Sequence, residues 1–202
     1  GYAPDSWDAL YNHFKAKGVD EKILVELGLL SEKDGKYYDK FRNRVIFPII
    51  NTAGKVIGFG GRALSDQQMP KYLNSPENRV FQKKNNLYAL NITRQDIGKA
   101  GMAIVVEGYM DVISLHQNGV TNVCASLGTA LTENQAKLVN RYTKNVVLSY
   151  DADEAGQKAA LRGIDVLKSE NCKVKVLHVT DGKDPDEYVK KNGKEAFMKL
   201  ID

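Results

Sequence analysis

The pattern of apolar and polar positions gives the second half of the chain a regular alternation. Four short runs rich in β-branched residues alternate with stretches of helical periodicity, and we expect strands over 103–106, 120–125, 146–150 and 174–179. Helices are predicted over 111–117 and 154–169, with a third that begins at a Thr132/Gln135 capping box. Alternating strands and helices predict a parallel sheet with helices on its faces, and such sheets bind ligands at the carboxyl ends of their strands.

The first half, 1–100, has a less regular pattern that predicts a smaller mixed α+β subdomain. Ser6 or Asp5 is expected to cap a first helix, and Asp20 a second helix over 23–27. Both positions suit an N-cap because a short polar side chain can accept a hydrogen bond from a free amide of the first turn.

A β-hairpin is predicted next, from the apolar runs 45–50 and 55–60 and the Asn-Thr-Ala-Gly segment between them. Pro48 lacks an amide hydrogen, so it indicates an edge strand or a bulge. The polar, basic and aromatic stretch 65–86 has weak periodicity and is expected to be an ordered loop. We therefore predict two domains, a basic α+β subdomain over 1–100 and an α/β domain over 101–202.

The distribution of charge along the chain is more informative about function than the overall composition. The 202-residue chain has a net charge of +4, but 40–84 holds nine basic and two acidic residues, whereas 101–202 holds 13 and 14. A basic region suits a polyanion. Cys124 and Cys172 lie in apolar runs and are expected to be reduced core residues. No apolar run approaches a membrane span and no signal peptide is visible, so we expect a cytoplasmic protein. The missing initial methionine suggests an excised fragment.

Three acidic clusters follow apolar runs or βα-like turns in the second half. They have the sequences Glu-Gly-Tyr-Met-Asp, Asp-Ala-Asp and Asp-Pro-Asp, and their carboxylates are Glu107, Asp111, Asp151, Asp153, Asp184 and Asp186. Taken singly, Asp111 could be a helix-start carboxylate, and Asp153 and Asp184 could be N-caps. Their joint occurrence at successive strand ends favours a site for Mg²⁺ or Mn²⁺, since hard divalent ions prefer oxygen ligands.

The acidic and basic regions together favour phosphoryl transfer on a nucleic acid. Paired metal ions can hold the attacking and leaving oxygens, and Glu107 is placed to take a proton from a ribose hydroxyl. Arg62 follows Gly-Phe-Gly-Gly, which allows close approach of a phosphate, although a glycine-rich strand with a bulge is the alternative. The stretch from Lys71 to Lys83 mixes cations, an aromatic ring and amides, as strand-binding surfaces do, and a solvated basic face is the alternative. Trp7 and the pair Tyr37 and Tyr38 are interpreted as packing residues.

The clusters E-G-Y-M-D, D-A-D-x-A-G and K-D-P-D-E together resemble the Toprim domain. The upstream segments F-R-N-R-V-I-F-P-I, I-G-F-G-G-R and P-K-Y-L-N-S-P-E are similar to those of bacterial DnaG-type primases, and the match runs over nearly the whole chain. The resemblance implies a Toprim parallel sheet flanked by helices and the RNA polymerase core of a primase. Such an enzyme makes RNA primers from nucleoside triphosphates on single-stranded DNA during replication.

The resemblance also implies roles for particular residues. Glu107 matches the Toprim glutamate and is expected to be catalytic with Lys71, while Glu107 and the five aspartates are expected to hold the metal. Template and nucleotide are expected to contact Arg42, Arg44, Arg62, Lys71, Tyr72, Asn74 and Lys83. The family's zinc-binding and helicase-binding domains have no counterpart here, so we expect no zinc and no direct docking of the replicative helicase. Alarmone nucleotides, reported as inhibitors in this family, could occupy the same site.

Three other interpretations remain open at this point. A type IA topoisomerase shares Toprim but shows D-x-D-x-E-G-E and needs a nucleophilic tyrosine in a separate domain. A Toprim nuclease fits the acidic clusters, although the basic half argues against it. A module that binds nucleotides or single-stranded DNA without catalysis fits the basic half alone.

Overall fold

The computed structural model describes residues 1–128, 130–151, 153–179, 182 and 184–201, and it divides the chain into two compact units. The first unit comprises Gly1–Ile50 and Lys55–Gln82, and the second comprises Asn51–Gly54 and Lys83–Asp202. This division falls earlier along the chain than the boundary expected between 100 and 101, and that boundary stays a prediction.

An antiparallel sheet with two short helices and a separate hairpin makes up the first unit. Its elements are β1 (Tyr2–Ala3), α1 (Ala9–Ala16), α2 (Glu21–Glu26), β2 (Leu30–Lys33), β3 (Lys36–Asp39), β4 (Arg44–Ile50), β5 (Val56–Ala63) and β6 (Tyr72–Asn74). The sheet has the strand order β1-β4-β5-β6, and β2 pairs with β3 alone. The hairpin predicted from the two apolar runs is confirmed as the antiparallel pair β4 and β5.

Pro48 is accommodated because β1 pairs with only two residues of β4, Arg44 and Val45. At Pro48 the strand therefore has its β5 neighbour on one side alone, which leaves room for a residue without an amide hydrogen. An irregularity of the register also occurs in β4, between Ile49 and Ile50. Pro48 thus correctly indicated a position at the edge of the sheet and a bulge nearby. Strand β4 as a whole nevertheless lies between β1 and β5.

The first helix begins later than the sequence indicates. The prediction of Ser6 or Asp5 as its cap is wrong, because α1 starts at Ala9 and its N-cap, Asp8, makes no hydrogen bond from its side chain. The buried carboxylate of Asp39 caps α1 instead, accepting hydrogen bonds from the amides of Leu10 (2.7 Å) and Tyr11 (2.9 Å). A partner distant in sequence has replaced the local cap.

The stretch 65–86 is more structured than the predicted loop. It contains β6, which pairs with β5, and a short 3₁₀ helix over Lys83–Asn85. Strand β6 has only three residues, so it presents too little alternation for its pattern to be detected in the sequence.

Four parallel strands carry the second unit. Its elements are α3 (Leu90–Ala100), β7 (Ala103–Val106), α4 (Tyr109–Gln117), β8 (Val123–Ala125), α5 (Glu133–Asn140), β9 (Asn145–Leu148), α6 (Glu154–Ser169), β10 (Lys173–Val176) and α7 (Pro185–Lys199). The strands lie in the order β10-β9-β7-β8, and each neighbouring pair is parallel. The α/β class with a preceding smaller antiparallel unit is therefore confirmed.

Two apolar layers cover the faces of this parallel sheet, because successive strand residues point to opposite sides. Val105 and Leu148 belong to one layer with residues of α3, α5 and α6, including Leu167. Ile104 and Val147 belong to the other layer with residues of α4 and α7. Both cysteines are buried and unpaired in the first of these layers. No helix within the described ranges is long and apolar enough to span a membrane.

Candidate active site and nucleic-acid-binding residues

Glu107 directly follows β7 at the carboxyl end of the parallel sheet and is half-buried. Its Oε1 accepts a hydrogen bond from the Asp151 amide at 3.1 Å. Burial raises the pKa of the Glu107 carboxyl, the Asp151 amide opposes that rise, and the charge of Asp153 adds to it. Gly156 packs against the backbone of Asp151, and a Cβ at position 156 would be 2.2 Å from the Asp151 carbonyl oxygen. Only glycine fits at this position.

Asp111 lies in the first turn of α4, and 7% of it is exposed. Its Oδ2 accepts a hydrogen bond from the Gly108 amide at 3.1 Å. Burial raises the pKa of Asp111 to about 7, the negative charges of Asp184 and Asp151 contribute, and amides of Gly108 and Asp186 oppose the rise. The side chain is thus held inside a cluster of like charges.

Asp151 lies after β9, and its carboxylate interacts electrostatically with those of Glu107 and Asp111. Its pKa is raised to about 6, first by burial and then by the charges of Glu107, Asp184 and Asp153. Carboxylates from the segments that follow β7 and β9 and from the starts of α4 and α7 therefore act on one another electrostatically. Parallel topology explains this convergence, because it brings the carboxyl ends of the strands to one edge.

Asp153 and Asp184 also act as helix caps, as their positions allowed. The side chain of Asp153 accepts a hydrogen bond from the Gly156 amide at 2.7 Å at the start of α6. Asp184 accepts one from the Glu187 amide at 2.8 Å at the start of α7. The capping role and the electrostatic coupling coexist, so the cap alternative does not remove either residue from the cluster.

Asp186 differs from the other five acidic residues. Its carboxylate forms an ion pair with Lys190 at 2.7 Å, one turn later in α7. The residue reaches the cluster through its backbone amide, which donates to Asp111. Its side chain is therefore less available to a metal ion than sequence reasoning suggested.

The donor set has the chemistry that a divalent metal ion requires. Its side chains offer only oxygen atoms. The raised pKa values of Asp111 and Asp151 reflect burial and mutual repulsion of carboxylates, and a bound cation would relieve that repulsion. Within the ranges that the structure describes, no three His, Cys, Asp or Glu side chains already surround a common point for an ion.

A cavity of about 200 Å³ adjoins Glu107. Its lining residues follow strands β7, β8 and β9 or lie on α6, and they are Glu107, Ser126, Gly128, Ala130, Tyr150, Ala155 and Ala159. Tyr150 is 5% exposed, and burial raises the pKa of its hydroxyl while the neighbouring Ser126 side chain opposes that rise. Sequence reasoning missed Tyr150 and Ser126, since neither belongs to a motif of charged residues.

In the first unit, Arg42 is held against aromatic rings. Its guanidinium carbon lies 3.9 Å from the centre of the Trp7 ring and 5.7 Å from that of Tyr38. The guanidinium also donates to the Asp39 carbonyl oxygen, and the Arg42 carbonyl accepts from the Gln68 amide group at 2.8 Å. The orientation of Arg42 is thus fixed.

Arg44 is buried, with only 3% exposed. Its guanidinium donates to the carbonyl oxygens of Gly61 (3.4 Å) and Lys71 (3.3 Å), and burial lowers its pKa. A Cβ at Gly61 would lie 2.8 Å from the Phe41 ring and 3.1 Å from the Arg44 side chain. This glycine accommodates internal packing, which favours the glycine-rich strand over close approach of a phosphate. Arg44 supports the backbone of β5, which carries Arg62, and the backbone of Lys71, which precedes β6.

The remaining predicted contacts of the first unit lie on β5 and β6 or beside them. Arg62 pairs in register with Tyr72, and its guanidinium lies 5.9 Å from the centre of the Tyr72 ring. Lys71 is exposed and precedes β6, while Asn74 ends that strand and is half-buried. The structure therefore brings Arg62, Lys71 and Tyr72 together at one end of the sheet.

Lys83 belongs to the second unit. Its side chain is half-buried, and its carbonyl oxygen accepts a hydrogen bond from the buried amide group of Gln135 at 3.0 Å. Gln135 also forms the predicted capping box with Thr132 at the start of α5. Sequence reasoning identified Gln135 as a helix cap and missed that it also holds the Lys83 backbone.

Family models match both parts of the chain. Residues 1–94 match the family described as DNA primase catalytic core, N-terminal domain, and residues 104–189 match Toprim-like. The parallel sheet and its carboxylates thus define a Toprim-like protein with an antiparallel unit before it.

Curated relatives narrow this class to one family. A DNA primase of Clostridium acetobutylicum is 57% identical over 203 residues, and one of Aquifex aeolicus is 45% identical over 201 residues. Each match covers all of this chain, but only 34% and 40% of the relatives, so the chain spans little more than a third of their length. The chain belongs to the bacterial DnaG-type DNA primase family.

Solved structures of this family have the same fold. The RNA polymerase domain of Mycobacterium tuberculosis primase DnaG is 34% identical with a TM-score of 0.88, and the match covers all of this chain and 68% of that one. A DnaG primase catalytic domain bound to single-stranded DNA is 41% identical with a TM-score of 0.91, covering 100% and 64%. The antiparallel and parallel units are therefore parts of the DnaG catalytic core.

Proposed function

We propose that this chain carries the catalytic core that makes RNA primers on single-stranded DNA during replication, by metal-dependent nucleotidyl transfer from nucleoside triphosphates. The observation that carries the proposal is the cluster of Glu107, Asp111 and Asp151 at the carboxyl end of the sheet, inside a chain of the DnaG family. Replication takes place in the cytoplasm of bacteria, and we propose the same location for this protein.

The residues that would hold Mg²⁺ or Mn²⁺ are Asp111, Asp151, Asp153 and Asp184, with Glu107 beside them. When bound, a divalent ion neutralises phosphate charge and orients the phosphates of an incoming nucleotide. Asp186 takes part mainly through its backbone amide, which fixes Asp111, because its own carboxylate is paired with Lys190.

Glu107 is the proposed proton acceptor at the 3′-hydroxyl of the growing primer. The Asp151 amide fixes Oε1 at 3.1 Å, so the carboxylate is already oriented. Its half-buried position raises the pKa, which brings the group nearer to the range in which a carboxylate acts as a base at neutral pH.

Template binding is the proposed role of the first unit. Arg62, Lys71 and Tyr72 lie at one end of its sheet and offer two cations and an aromatic ring. Phosphates bind such cations, and bases stack on such rings. Lys71 is the proposed second catalytic residue through its charge on a nucleotide phosphate, and the complex of a related DnaG domain with single-stranded DNA supports the choice of template.

A template-directed synthesis assay tests this function. The chain is incubated with single-stranded DNA, Mg²⁺ or Mn²⁺ and labelled ribonucleoside triphosphates, and the products are separated by length. We expect short RNA products that require both the template and the metal ion. Cleavage of the DNA without RNA synthesis would instead favour the Toprim nuclease, and DNA binding without either reaction would favour a non-catalytic module.

A further inference from the structure

Gln135 is a fully buried polar residue that joins two segments of the second unit. Its Nε2 donates hydrogen bonds to the carbonyl oxygens of Lys83 at 3.0 Å and Asn86 at 2.9 Å, and the Ser126 carbonyl oxygen lies 3.4 Å from the same atom. Its Oε1 accepts a hydrogen bond from the Thr132 amide at 3.0 Å. The capping box uses only that acceptor, so the amino group of Gln135 is left to hold a distant segment of backbone.

Two further hydrogen bonds fasten the 83–86 segment to the start of α5. The Thr132 hydroxyl donates to the Lys84 carbonyl oxygen at 2.7 Å, and the Asn134 amide group donates to the Asn85 side chain at 2.7 Å. A single turn of 3₁₀ helix has little stability of its own, so its conformation depends on such contacts. Each residue of this segment is hydrogen-bonded to the N-cap or the first turn of α5.

The same segment lies near the carboxyl end of the parallel sheet, where the acidic cluster is. The backbone of Tyr88 pairs with that of Ala125, the last residue of β8, at 2.8 and 3.2 Å. Ser126, whose carbonyl oxygen lies beside the nitrogen that holds Lys83, lines the cavity of about 200 Å³ together with Glu107. The backbone of Lys83 is therefore close to the cavity that adjoins Glu107.

A nucleotide bound at this end of the sheet requires positive charge from the protein. The carboxylates of Asp111 and Asp151 already repel their neighbours, and a triphosphate adds several negative charges. Lysine is a common phosphate ligand, but its ammonium lies at the end of a flexible four-carbon stem. The place that the half-buried Lys83 side chain can reach is therefore set by the backbone that carries it.

We propose that Gln135, assisted by Thr132, is a positioning residue that holds the 83–86 segment so that the Lys83 ammonium meets the phosphates of the incoming nucleotide. This inference rests on the proposed function, because it assigns how that site recognises its nucleotide. It narrows the expected role of Lys83 from template or nucleotide to the nucleotide phosphates. A purely structural role of Gln135 would change the stability of the chain and leave its affinity for phosphates unchanged.

Calorimetric titration with inorganic triphosphate and Mn²⁺ tests the inference, because this probe carries the phosphates without a base or a sugar. Gln135→Met removes the donor to Lys83 without adding charge, and we expect it to weaken binding by about threefold to tenfold, as part of one hydrogen bond to a charged group is lost. Asn140→Leu is the matched control, since the Asn140 amide group donates to the Glu170 carbonyl oxygen at the other end of α5. Equal affinities of the wild-type chain and the folded Gln135→Met variant would overturn the inference.

A double-mutant cycle with Lys83→Met separates positioning from a general effect on the fold. Lys83→Met alone is expected to weaken triphosphate binding by about tenfold. In that background Gln135→Met should have little further effect, because a positioning residue acts only through the group that it positions. Fully additive losses would show that Gln135 does not act through Lys83 and would contradict the inference.

Circular dichroism shows whether each variant folds. If Gln135→Met does not fold, Thr132→Val takes its place in both experiments, since it removes the hydrogen bond to the Lys84 carbonyl oxygen and leaves Gln135 intact. Unchanged affinity of the folded Thr132→Val variant would then count against the inference. A wild-type chain that binds neither inorganic triphosphate nor a nucleoside triphosphate with Mn²⁺ would contradict the proposed function, and the inference would fall with it.

Discussion

The two units bring their proposed functional residues together in different ways. In the second unit, a parallel sheet brings acidic residues that follow separate strands to one edge, where burial and mutual repulsion raise the pKa values of Asp111 and Asp151. In the first unit, an antiparallel sheet brings cations and aromatic rings together by pairing strand ends, and several of these groups are already stacked, as Arg42 is on Trp7. The second unit thus contains a cluster of carboxylates that repel one another, and the first unit contains cations held in fixed orientations.

Within the first unit, exposure and not charge alone distinguishes a proposed DNA contact from a structural arginine. Arg42 and Arg44 are two positions apart and equally charged, yet Arg42 lies on an exposed ring, while Arg44 is buried and supports the backbone of β5 and of the residue before β6. A buried cation that donates to carbonyl oxygens stabilises the strands beside it. We therefore expect substitutions of proposed contact residues to change primer synthesis or DNA binding, and substitutions of buried structural residues to change the free energy of unfolding.

The largest expected effect separates catalysis from binding. Glu107→Gln preserves the acceptor for the Asp151 amide but removes the proposed base, so primer synthesis should fall by about 100-fold or more. Binding of single-stranded DNA should not change, because the proposed DNA contacts of the first unit do not include Glu107. Rates of labelled ribonucleotide incorporation measure the first quantity. A variant with more than half of the wild-type rate would show that Glu107 is not the base.

Stability of the first unit should depend strongly on Asp39. Asp39→Ala removes the acceptor of two amides of α1, so we expect the free energy of unfolding to fall by about 2 to 4 kcal/mol. Urea unfolding measures this change. Asp5→Ala is a suitable control because Asp5 is exposed and does not cap α1. Equal stability of the two variants would contradict the capping role of Asp39.

The acidic cluster should make the metal-free second unit less stable as the pH rises. Asp111 has a pKa of about 7 in the folded protein and about 4 when unfolded, so the folded state binds more protons between these values. Its contribution therefore destabilises the fold increasingly from about pH 4 to pH 7. We expect Asp111→Asn to remove about 1 to 2 kcal/mol of this pH dependence.

Thermal unfolding at pH 5 and pH 8 without divalent ions measures that effect. Asp165→Asn is the control, because Asp165 lies on α6 outside the cluster. Added Mg²⁺ should restore stability at pH 8 in the wild-type chain more than in Asp111→Asn. A wild-type chain that gains stability between pH 5 and pH 8 without metal would contradict the proposed charge repulsion.

A smaller effect should distinguish exposed from buried arginines in the first unit. Arg62→Gln should reduce the slope of log affinity for single-stranded DNA against log salt by about 0.7, the value for one phosphate contact. Arg44→Met should leave the slope unchanged, because the buried Arg44 guanidinium faces carbonyl oxygens. Titrations at several salt concentrations test both expectations. A reduced slope in Arg44→Met would place that arginine on the DNA.

Most of the second unit could be predicted because its strands and helices are marked by patterns of neighbouring residues. The four β-branched runs became the four parallel strands, the capping box starts α5, and helix α6 has the expected bounds. The convergence of Glu107, Asp111 and Asp151 also followed from topology. The pairing of Asp186 with Lys190 did not, since either side chain could have faced the cluster or the solvent.

The first unit was harder to predict because its decisive contacts join distant residues. The cap of α1 comes from Asp39, about 30 positions along the chain, and the partner of Trp7 is Arg42. Three-residue strand β6 has no pattern of its own and forms because β5 offers an edge to pair with. The exposure of Trp7, Arg42 and Arg44 could not be predicted, because it depends on contacts between distant residues and not on the local sequence pattern.

Metal-dependent nucleotide binding tests the central claim most directly, namely that the acidic cluster is the site of phosphoryl transfer. A variant with Asp151→Asn and Asp153→Asn is compared with the wild-type chain by calorimetric titration with a nucleoside triphosphate, with and without Mn²⁺. We predict binding by the wild-type chain only with Mn²⁺ and its loss in the double variant, while single-stranded DNA still binds. Unchanged Mn²⁺-dependent binding in the folded double variant would contradict the account.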